Sequence, residues 1–333
     1  MSRLASVMVM GAGAVGSYYG ALLARAGHDV TLIARGEHLT ELERAGRVTV
    51  REPDGNTWSA PVRAFPRPGP PAPDLVIVTV KSHHTVDAAT GLRDCVAAST
   101  AVLSLQNGVE NVARLNEVLG RDDVLGGQAF VGLRITTPGV VDHQAEGRVG
   151  FGDPRAPDGD LARRVAGIVG SAWNVTLSDD ITHDLWNKLL WNIGFNAMCA
   201  VTGATSGETL AVPESEALVR GAMQELVRVA ARNGVTLTRE AVDGMAAFNP
   251  QLRDYRPSTA QDIAAGKPVE RDAICGFVVR EADRLGTDAP VNRVLDGLLA
   301  LQEARATGAI ADALARLDRM DAAPGGPDAD PAG

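Results

Sequence analysis

The sequence predicts an α/β protein in two parts: strands and helices alternate in the first part, and the second part is built from helices alone. Residues 7–10 and 75–80 are short apolar runs without polar alternation, a pattern typical of a parallel sheet that is covered on both faces. After residue 178 such runs stop and long helical patterns follow. We therefore predict one domain at 1–178 and a second, all-helical domain at 179–321.

Composition narrows the class of protein further. The 333 residues are 45% hydrophobic and carry a formal net charge of −9, which argues against a nucleic-acid partner. No apolar run approaches the roughly 18 residues that a membrane span needs. The first strand begins so early that we expect no signal peptide, and three widely spaced cysteines predict buried free thiols in a reducing cytoplasm.

The first strand runs directly into a glycine-rich loop. The spacing G-x-G-x-x-G is followed at once by a helical pattern that ends at Gly27. In this order, glycines allow a tight turn, close approach of the backbone to a pyrophosphate, and close packing of the helix on the strand. A plain structural turn is the alternative. We predict a Rossmann-type dinucleotide-binding domain with cofactor contacts from Gly11, Ala12, Gly13, Ala14, Val15 and Gly16.

The end of the second predicted strand, 29–34, indicates which dinucleotide binds. Arg35 stands where an NAD site usually carries Asp or Glu, and an arginine there suits the 2′-phosphate of NADPH. Glu37, two positions later, is the competing residue for an NADH site. We predict NADPH as the cofactor.

The remaining elements follow from hydrophobic periodicity and from turn residues. Further strands are predicted at 47–51, 58–64, 75–80, 101–105, 124–134, 139–152 and 174–177, and helices at 37–45, 85–97 and 161–171. The second half predicts helices at 182–201, 215–233, 239–248, 268–285 and 290–307. Residues 322–333 are acidic and rich in Pro and Gly, which predicts a disordered tail.

Lysine is rare in this chain, and one lysine lies in an unusual setting. Only three of the 32 basic residues are lysines, so those that remain are candidates for chemistry that arginine cannot perform. Lys188, Asn192 and Asn196 recur every four residues on an otherwise apolar helix, within an arc of about 80°. A solvated helix face is the alternative, but such a face usually carries charges. We predict that this stripe faces a site.

Taken together, these motifs resemble ketopantoate reductase over residues 3 to about 307. The matching pieces are GAGAVG, Arg35 after the second strand, VTVKS, LQNGVEN, LWNKLLWNIGFNA, PSTAQDI and KPVERDAICGF. Each piece is short, but their order and spacing are specific. One departure is the pair His83-His84 after Lys81, where the family often has an aromatic residue and then Gln.

The resemblance implies a role for each matching residue. Lys188 would be the general acid, and Glu270 would bind the substrate hydroxyl and contact the cofactor. Residues lining the substrate and cofactor cleft would be Asn107, Asn192, Asn196 and Ser258. Arg35 and Lys81 would favour the 2′-phosphate of NADPH. Hydride transfer to a ketone leaves negative charge on oxygen, and a lysine can supply both a cation and a proton there.

Three functions remain open at this point. The first is NADPH-dependent reduction of ketopantoate, a small 2-oxo acid, in a chain with a possible homodimeric state. The second is a paralogous reductase of another 2-oxo acid. The third is a dinucleotide sensor without catalysis, which the set Lys188, Asn192 and Glu270 argues against because a sensor needs no proton donor. No cluster of metal-ligand residues is visible in the sequence.

Overall fold

The structure is a computed structural model that describes residues 4–156, 159–247 and 250–321. The chain forms two compact units. Unit 1 comprises the residues up to Leu190 together with Ala230–Ala241 and Asp272–Ile274. Unit 2 comprises Trp191–Val229, Val242–Arg271 and the residues from Cys275 onward. The domain boundary near residue 178 stays a prediction, and the predicted disordered tail at 322–333 lies outside the described residues.

Unit 1 alternates strands and helices. Its strands are β1 (Ser6–Met10), β2 (Asp29–Ile33), β3 (Arg47–Arg51), β4 (Thr57–Pro61), β5 (Arg63–Phe65), β6 (Leu75–Val78), β7 (Ala101–Ser104), β8 (Leu125–Thr137), β9 (Val140–Gly152) and β10 (Asn174–Leu177). Its helices are α1 (Ala14–Arg25), α2 (Gly36–Ala45), α3 (Thr85–Leu92), α4 (Asn111–Leu119), α5 (Asp160–Val169) and α6 (Ile181–Trp191, whose last residue opens unit 2).

All ten strands form one sheet in the order β4-β3-β9-β8-β7-β6-β1-β2-β5, with β10 beside β9. The predicted strand 58–64 is wrong in one respect, because it divides at Val62 into β4 and β5. β4 pairs antiparallel with β3, whereas β5 pairs parallel with β2. The two ends of the strand order are thus one residue apart in the chain, so the sheet curls.

Helix α1 lies inside this curl. It contacts strands from both ends of the order, including β2, β3, β4 and β9. Tyr19 and Leu23 are fully buried, and Trp173 packs its ring 4.9 Å from that of Tyr19 while its indole N–H donates to the Tyr19 carbonyl. Burying these two aromatic side chains against each other, with the indole N–H paired, stabilises the helix in place.

Every regular element in the described part of unit 2 is a helix. After α6 come a π-helical turn (Asn192–Asn196), α7 (Ala197–Thr202), α8 (Ser206–Ala211), α9 (Pro213–Arg232), α10 (Arg239–Met245), α11 (Ser258–Ala264), α12 (Cys275–Leu285), α13 (Pro290–Ala306) and α14 (Ala309–Asp321). The end of α9 and the start of α10 belong to unit 1. The α/β fold class with a helical second part is confirmed.

Three predicted helices differ from the structure by more than three residues, and the one predicted at 85–97 ends at Leu92. The helix at 182–201 is interrupted by the π turn, and the helix at 268–285 begins only at Cys275. In the last case residues 267–270 are irregular, and a short 3-10 turn covers Arg271–Ala273. Glu270 is therefore not a helical residue.

A buried carboxylate fixes the packing of α9 against α13. Glu225 is 2% exposed and accepts hydrogen bonds from the backbone N–H groups of Val291 and Asn292, both at 2.9 Å. The Asn292 side-chain amide donates to the same carboxylate at 2.8 Å. A negative charge at a helix N-terminus is favourable, because unpaired N–H groups and the helix dipole both attract it.

The cysteines and the hydropathy of the helices agree with the composition. Cys95, Cys199 and Cys275 are buried free thiols, as predicted. Burial raises the pKa of the Cys275 thiol far above its usual range, and the pKa of Cys95 is raised for the same reason. Among the helices of the described residues, none is long and apolar enough to span a lipid bilayer.

Candidate active site

The glycine-rich loop, residues 11–16, follows β1 and includes the first residues of α1, and its glycines serve different purposes. Gly11 has φ +108°, and a Cβ there would lie 2.7 Å from the Val80 backbone nitrogen. A Cβ on Gly16 would collide with the Gly11 carbonyl oxygen. Gly13 is exposed at the N-cap of α1, and a Cβ there would meet nothing within 4 Å. Since α1 begins there without a side-chain cap, its N-terminus fits a pyrophosphate.

The strand order brings three predicted cofactor residues to one edge of the sheet. β2, β1 and β6 are parallel neighbours, so their carboxyl ends share that edge. Gly11 follows β1 directly, Arg35 follows β2, and Lys81 follows β6. The backbone N–H groups of Gly11 and Ala12 donate to the Ile33 carbonyl at 3.3 and 2.8 Å, which ties the loop to the end of β2. Ligands of open parallel sheets collect at this edge.

Arg35 is exposed and caps the N-terminus of α2, whereas its competitor Glu37 lies inside the first turn of that helix. A histidine lies close to this guanidinium. The pKa of His84 is lowered, first by burial and then by the neighbouring His83 and by Arg35, while Asp87 acts in the opposite direction. The rings of His83 and His84 are 4.3 Å apart. Arg35 therefore belongs to a cluster of nitrogen groups that suits an anion.

A pair of loops at the same edge is joined through the backbone of Asn107. Its carbonyl accepts a hydrogen bond from Ser82 Oγ at 2.8 Å and another from Asn111 Nδ2 at 2.6 Å. Ser82 directly follows Lys81, and Asn107 lies between β7 and α4. The two predicted cofactor residues Lys81 and Asn107 are therefore held by one set of bonds.

This polar cluster continues into the protein interior. Thr85 Oγ1 lies 2.8 Å from both the Ser82 carbonyl and Asn111 Oδ1. Gln106 Nε2 donates to Thr85 Oγ1 at 2.7 Å and to the Val80 carbonyl at 3.0 Å. All four side chains (Ser82, Thr85, Gln106 and Asn111) are buried. Buried polar groups paired in this way hold loops in one conformation.

Lys188 lies on α6, within unit 1 and beside β8. Its Nζ donates to the Ala129 carbonyl at 3.0 Å and lies 5.5 Å from the centre of the Phe130 ring. A Cβ on Gly126 would come within 3.2 Å of Ile181, so this glycine lets the start of α6 approach β8 closely. The half-buried ammonium is thus held by a carbonyl and by an aromatic face.

Asn192 and Asn196 bound the π-helical turn in unit 2. Both are buried, at 5% and 3% exposure. A Cβ on Gly194, at the centre of the turn, would lie 2.5 Å from the Met223 side chain of α9. A π turn closes its hydrogen bonds over five residues, so the angular spacing behind the predicted stripe does not hold through this segment. Such turns are frequent at functional sites.

Glu270 is 7% exposed and lies between two anchored neighbours in unit 2. The backbone N–H of Val269 donates to Glu303 Oε1 at 2.9 Å. Arg271 Nη1 lies 2.7 Å from both carboxylate oxygens of Asp296. Because Glu303 and Asp296 both belong to α13, that helix fixes the backbone on either side of Glu270. Neither anchor was predicted from the sequence.

The predicted site residues fall into two groups, one in each unit. Unit 1 holds the glycine-rich loop, Arg35, Lys81, Asn107 and Lys188, and unit 2 holds Asn192, Asn196, Ser258 and Glu270. Ser258 is exposed and is the first residue of α11. Their roles stay predictions. Sequence reasoning missed the supporting residues Ser82, Thr85, Gln106 and Asn111, whose only signal is that small polar residues follow apolar strands.

Metal ligation has no visible basis in the described ranges. Within residues 4–156, 159–247 and 250–321, no three His, Cys, Asp or Glu side chains are arranged to hold a metal ion. The groups gathered at the sheet edge are instead backbone N–H groups, an arginine and a lysine, which suit the phosphates of a dinucleotide.

The chain is similar to ketopantoate reductases over most of its length. The family profile of ketopantoate reductase PanE/ApbA matches residues 7–156, and the profile of its C-terminal part matches 180–303. A 2-dehydropantoate 2-reductase of Halobacterium salinarum is 34% identical, covering 89% of this chain and 98% of the relative. The corresponding reductase of Pyrococcus abyssi is 32% identical, with 90% and 98% covered.

A solved structure gives the same result. The PanE/ApbA family ketopantoate reductase from Ralstonia eutropha superimposes with a TM-score of 0.83 at 35% identity, covering 91% of this chain and 99% of the other. The resemblance, the fold and the oxidoreductase class expected from the sequence are confirmed. The chain belongs to the ketopantoate reductase PanE/ApbA family.

Proposed function

We propose that this protein reduces 2-dehydropantoate to pantoate with NADPH, in the route to pantothenate and coenzyme A. Family membership supports the reaction, and the position of Lys188 supports the chemistry. Lys188 is held half-buried in the same unit as the glycine-rich loop, so the proton donor and the dinucleotide share one folded body. The protein is expected to work in the cytoplasm on a free small molecule, without nucleic acid.

Lys188 is the general acid in this proposal. NADPH, when bound, supplies the hydride for the substrate ketone. The ammonium of Lys188 then stabilises the negative charge that develops on the carbonyl oxygen and donates a proton to it. Its bond to the Ala129 carbonyl, at 3.0 Å, fixes the direction of the Nζ atom.

Cofactor binding is assigned to the sheet edge of unit 1. The loop of residues 11–16 holds the pyrophosphate on the N-terminus of α1. Arg35 and Lys81 contact the 2′-phosphate, and this assignment is supported by their positions after β2 and β6, the strands on either side of β1. Asn107 contacts the cofactor and substrate from the loop after β7.

Substrate recognition is assigned to unit 2. Glu270 accepts the primary hydroxyl that distinguishes 2-dehydropantoate from simpler branched 2-oxo acids, and it also contacts the cofactor. Asn192, Asn196 and Ser258 bind the remaining polar groups of the substrate. Glu270 and both asparagines are buried, and a hydrogen bond between such a side chain and a substrate is stronger than the same bond in water.

A homodimer is also proposed. Val294, Leu298 and Leu301 on α13 are 61%, 41% and 42% exposed and recur at helical spacing, so they form an apolar stripe on one side of the helix. Light scattering coupled to size-exclusion chromatography gives the mass directly. A monomer at micromolar concentration would contradict this part of the proposal.

The test of function is NADPH oxidation with 2-dehydropantoate and a panel of other 2-oxo acids. We expect Lys188→Arg to lose about 10²–10⁴-fold in kcat while still binding NADPH, because arginine keeps the charge but does not donate a proton at usable pH. Lys267→Arg, the same change at an exposed lysine, is the matched control and should keep full activity. Near-normal turnover of Lys188→Arg would show that only positive charge is needed.

A further inference from the structure

A chain of hydrogen bonds connects the β8–β9 turn to the glycine-rich loop through His38. The backbone N–H of Gly139 donates to His38 Nδ1 at 3.0 Å. His38 Nε2 lies 3.0 Å from Ser17 Oγ, and that hydroxyl donates to the Ala12 carbonyl at 3.2 Å. His38 is half-buried on α2, and Ser17 is fully buried on α1. The chain therefore ends on a carbonyl inside the G-x-G-x-x-G segment.

Only the neutral ring of His38 satisfies every group in this chain. A backbone N–H can only donate, so Nδ1 must be an unprotonated acceptor. The single hydrogen of the neutral ring then lies on Nε2 and is donated to Ser17, which leaves the Ser17 hydroxyl hydrogen for Ala12. A protonated ring would place an N–H of His38 against the N–H of Gly139, which breaks the first bond.

We propose that His38 is a positioning residue for the dinucleotide: its neutral ring fixes Ser17, and through Ser17 it holds the loop of residues 11–16 in the form that receives the pyrophosphate. The inference rests on the proposed function in assigning NADPH to this loop. It adds a residue outside the glycine motif on which cofactor affinity depends.

Acid should break this chain. Burial lowers the pKa of His38 below its ordinary 6.5. The groups facing the ring are neutral ones, the Ser17 hydroxyl from α1 and the Gly139 amide from the turn, while Glu41 on the same helix packs its side chain against Gly139. A histidine whose pKa is lowered on folding contributes stability that is fully present above pH 6.5. This stability is lost as the pH falls through the lowered pKa.

The experiment is a fluorescence titration of NADPH between pH 5 and pH 8 with wild type, His38→Gln and His38→Leu. A glutamine can accept from Gly139 and donate to Ser17 without titrating, so we expect near wild-type affinity at pH 7.5 and a flatter pH profile. His38→Leu should bind about threefold to tenfold more weakly at pH 7.5, the value of about one hydrogen bond. The 2′-phosphate of NADPH also titrates in this range. Dividing the dissociation constant of each variant by that of the wild type at the same pH removes this effect.

His28 offers a matched control. It is also buried, and its Nδ1 accepts the backbone N–H of Ala5 at 3.1 Å, but it lies at the amino ends of β1 and β2. His28→Leu should leave NADPH affinity unchanged. An equal loss of NADPH affinity in His28→Leu, or the same pH profile in wild type and His38→Gln, would overturn this inference but not the proposed function. A wild type that binds no NADPH would overturn the proposed function and this inference with it.

Discussion

Removing the amide of Asn111 tests whether the buried polar cluster controls the cofactor loops. Asn111→Ala deletes the 2.6 Å bond to the Asn107 carbonyl, a long 3.4 Å bond to Ser82 Oγ, and the acceptor that Thr85 Oγ1 approaches at 2.8 Å. The Asn107 carbonyl keeps its bond from Ser82 Oγ, and the Thr85 hydroxyl can donate to the Ser82 carbonyl instead. No buried polar group of the cluster is therefore left wholly unpaired by this substitution.

The expected loss of stability in Asn111→Ala follows from the number of hydrogen bonds that the substitution removes. Two short bonds at about 1 kcal/mol each and one long, weaker bond are lost and a small cavity is left, so the free energy of unfolding should fall by about 2–3 kcal/mol. The cost would be larger if a partner lost its last hydrogen bond. Because Asn107 then moves more freely, we also expect NADPH to bind about threefold to tenfold more weakly, the value of about one hydrogen bond.

Chemical denaturation and NADPH fluorescence titration measure these two effects separately. Asn116→Ala is the matched control, since Asn116 lies on the same helix and its Oδ1 accepts only the backbone N–H of Val124, at 3.1 Å, among the bonds described here. It should lose about 1 kcal/mol of stability without loss of affinity. If Asn111→Ala is destabilised but binds NADPH as tightly as Asn116→Ala does, the cluster does not position the cofactor loops.

Three further predictions concern single side chains. Arg35→Ala should lower kcat/KM for NADPH about tenfold and leave that for NADH nearly unchanged, and equal losses would remove Arg35 from the 2′-phosphate site. Glu270→Gln should weaken turnover of 2-dehydropantoate but not of 2-ketoisovalerate, with exposed Glu240→Gln as the control; parallel losses would make Glu270 structural. Glu225→Gln should lower the free energy of unfolding by about 2–3 kcal/mol, because one oxygen that accepts N–H donors becomes a donor itself. Unchanged chemical denaturation would refute that account.

Much of the fold follows from the sequence because its strongest signals are local. The strands at 47–51 and 174–177 have the predicted bounds, and the glycine motif directly indicates a strand, a turn and a helix. The division at Val62 is different. β4 and β5 are distinct strands because β4 pairs with β3 whereas β5 pairs with β2. Pairing across the sheet is a tertiary effect that periodicity in a short window does not contain.

The candidate site could likewise be predicted only where local sequence motifs determine it. Family membership is confirmed, and the sequence motifs alone placed Lys188 and Glu270 as candidates. The π turn at Asn192–Asn196 could not be predicted, because local composition does not separate a π turn from an α-helix and a Cβ at Gly194 would lie 2.5 Å from Met223 of α9, a tertiary contact. The anchoring of Glu270 through Val269 and Arg271 depends on α13, more than 20 residues later in the chain. The roles of these residues stay predictions.

The curled sheet around α1 has a consequence for the dynamics of the phosphate end. A helix covered by strands on several sides cannot fray or tilt unless the strands separate as well. The segment from Gly20 to Leu23 is buried apart from Leu22, so we expect its amide hydrogens to exchange only through global unfolding of unit 1. The N-terminus of α1, which is the positive end of its helix dipole, is thus preorganised for an anion before any ligand binds.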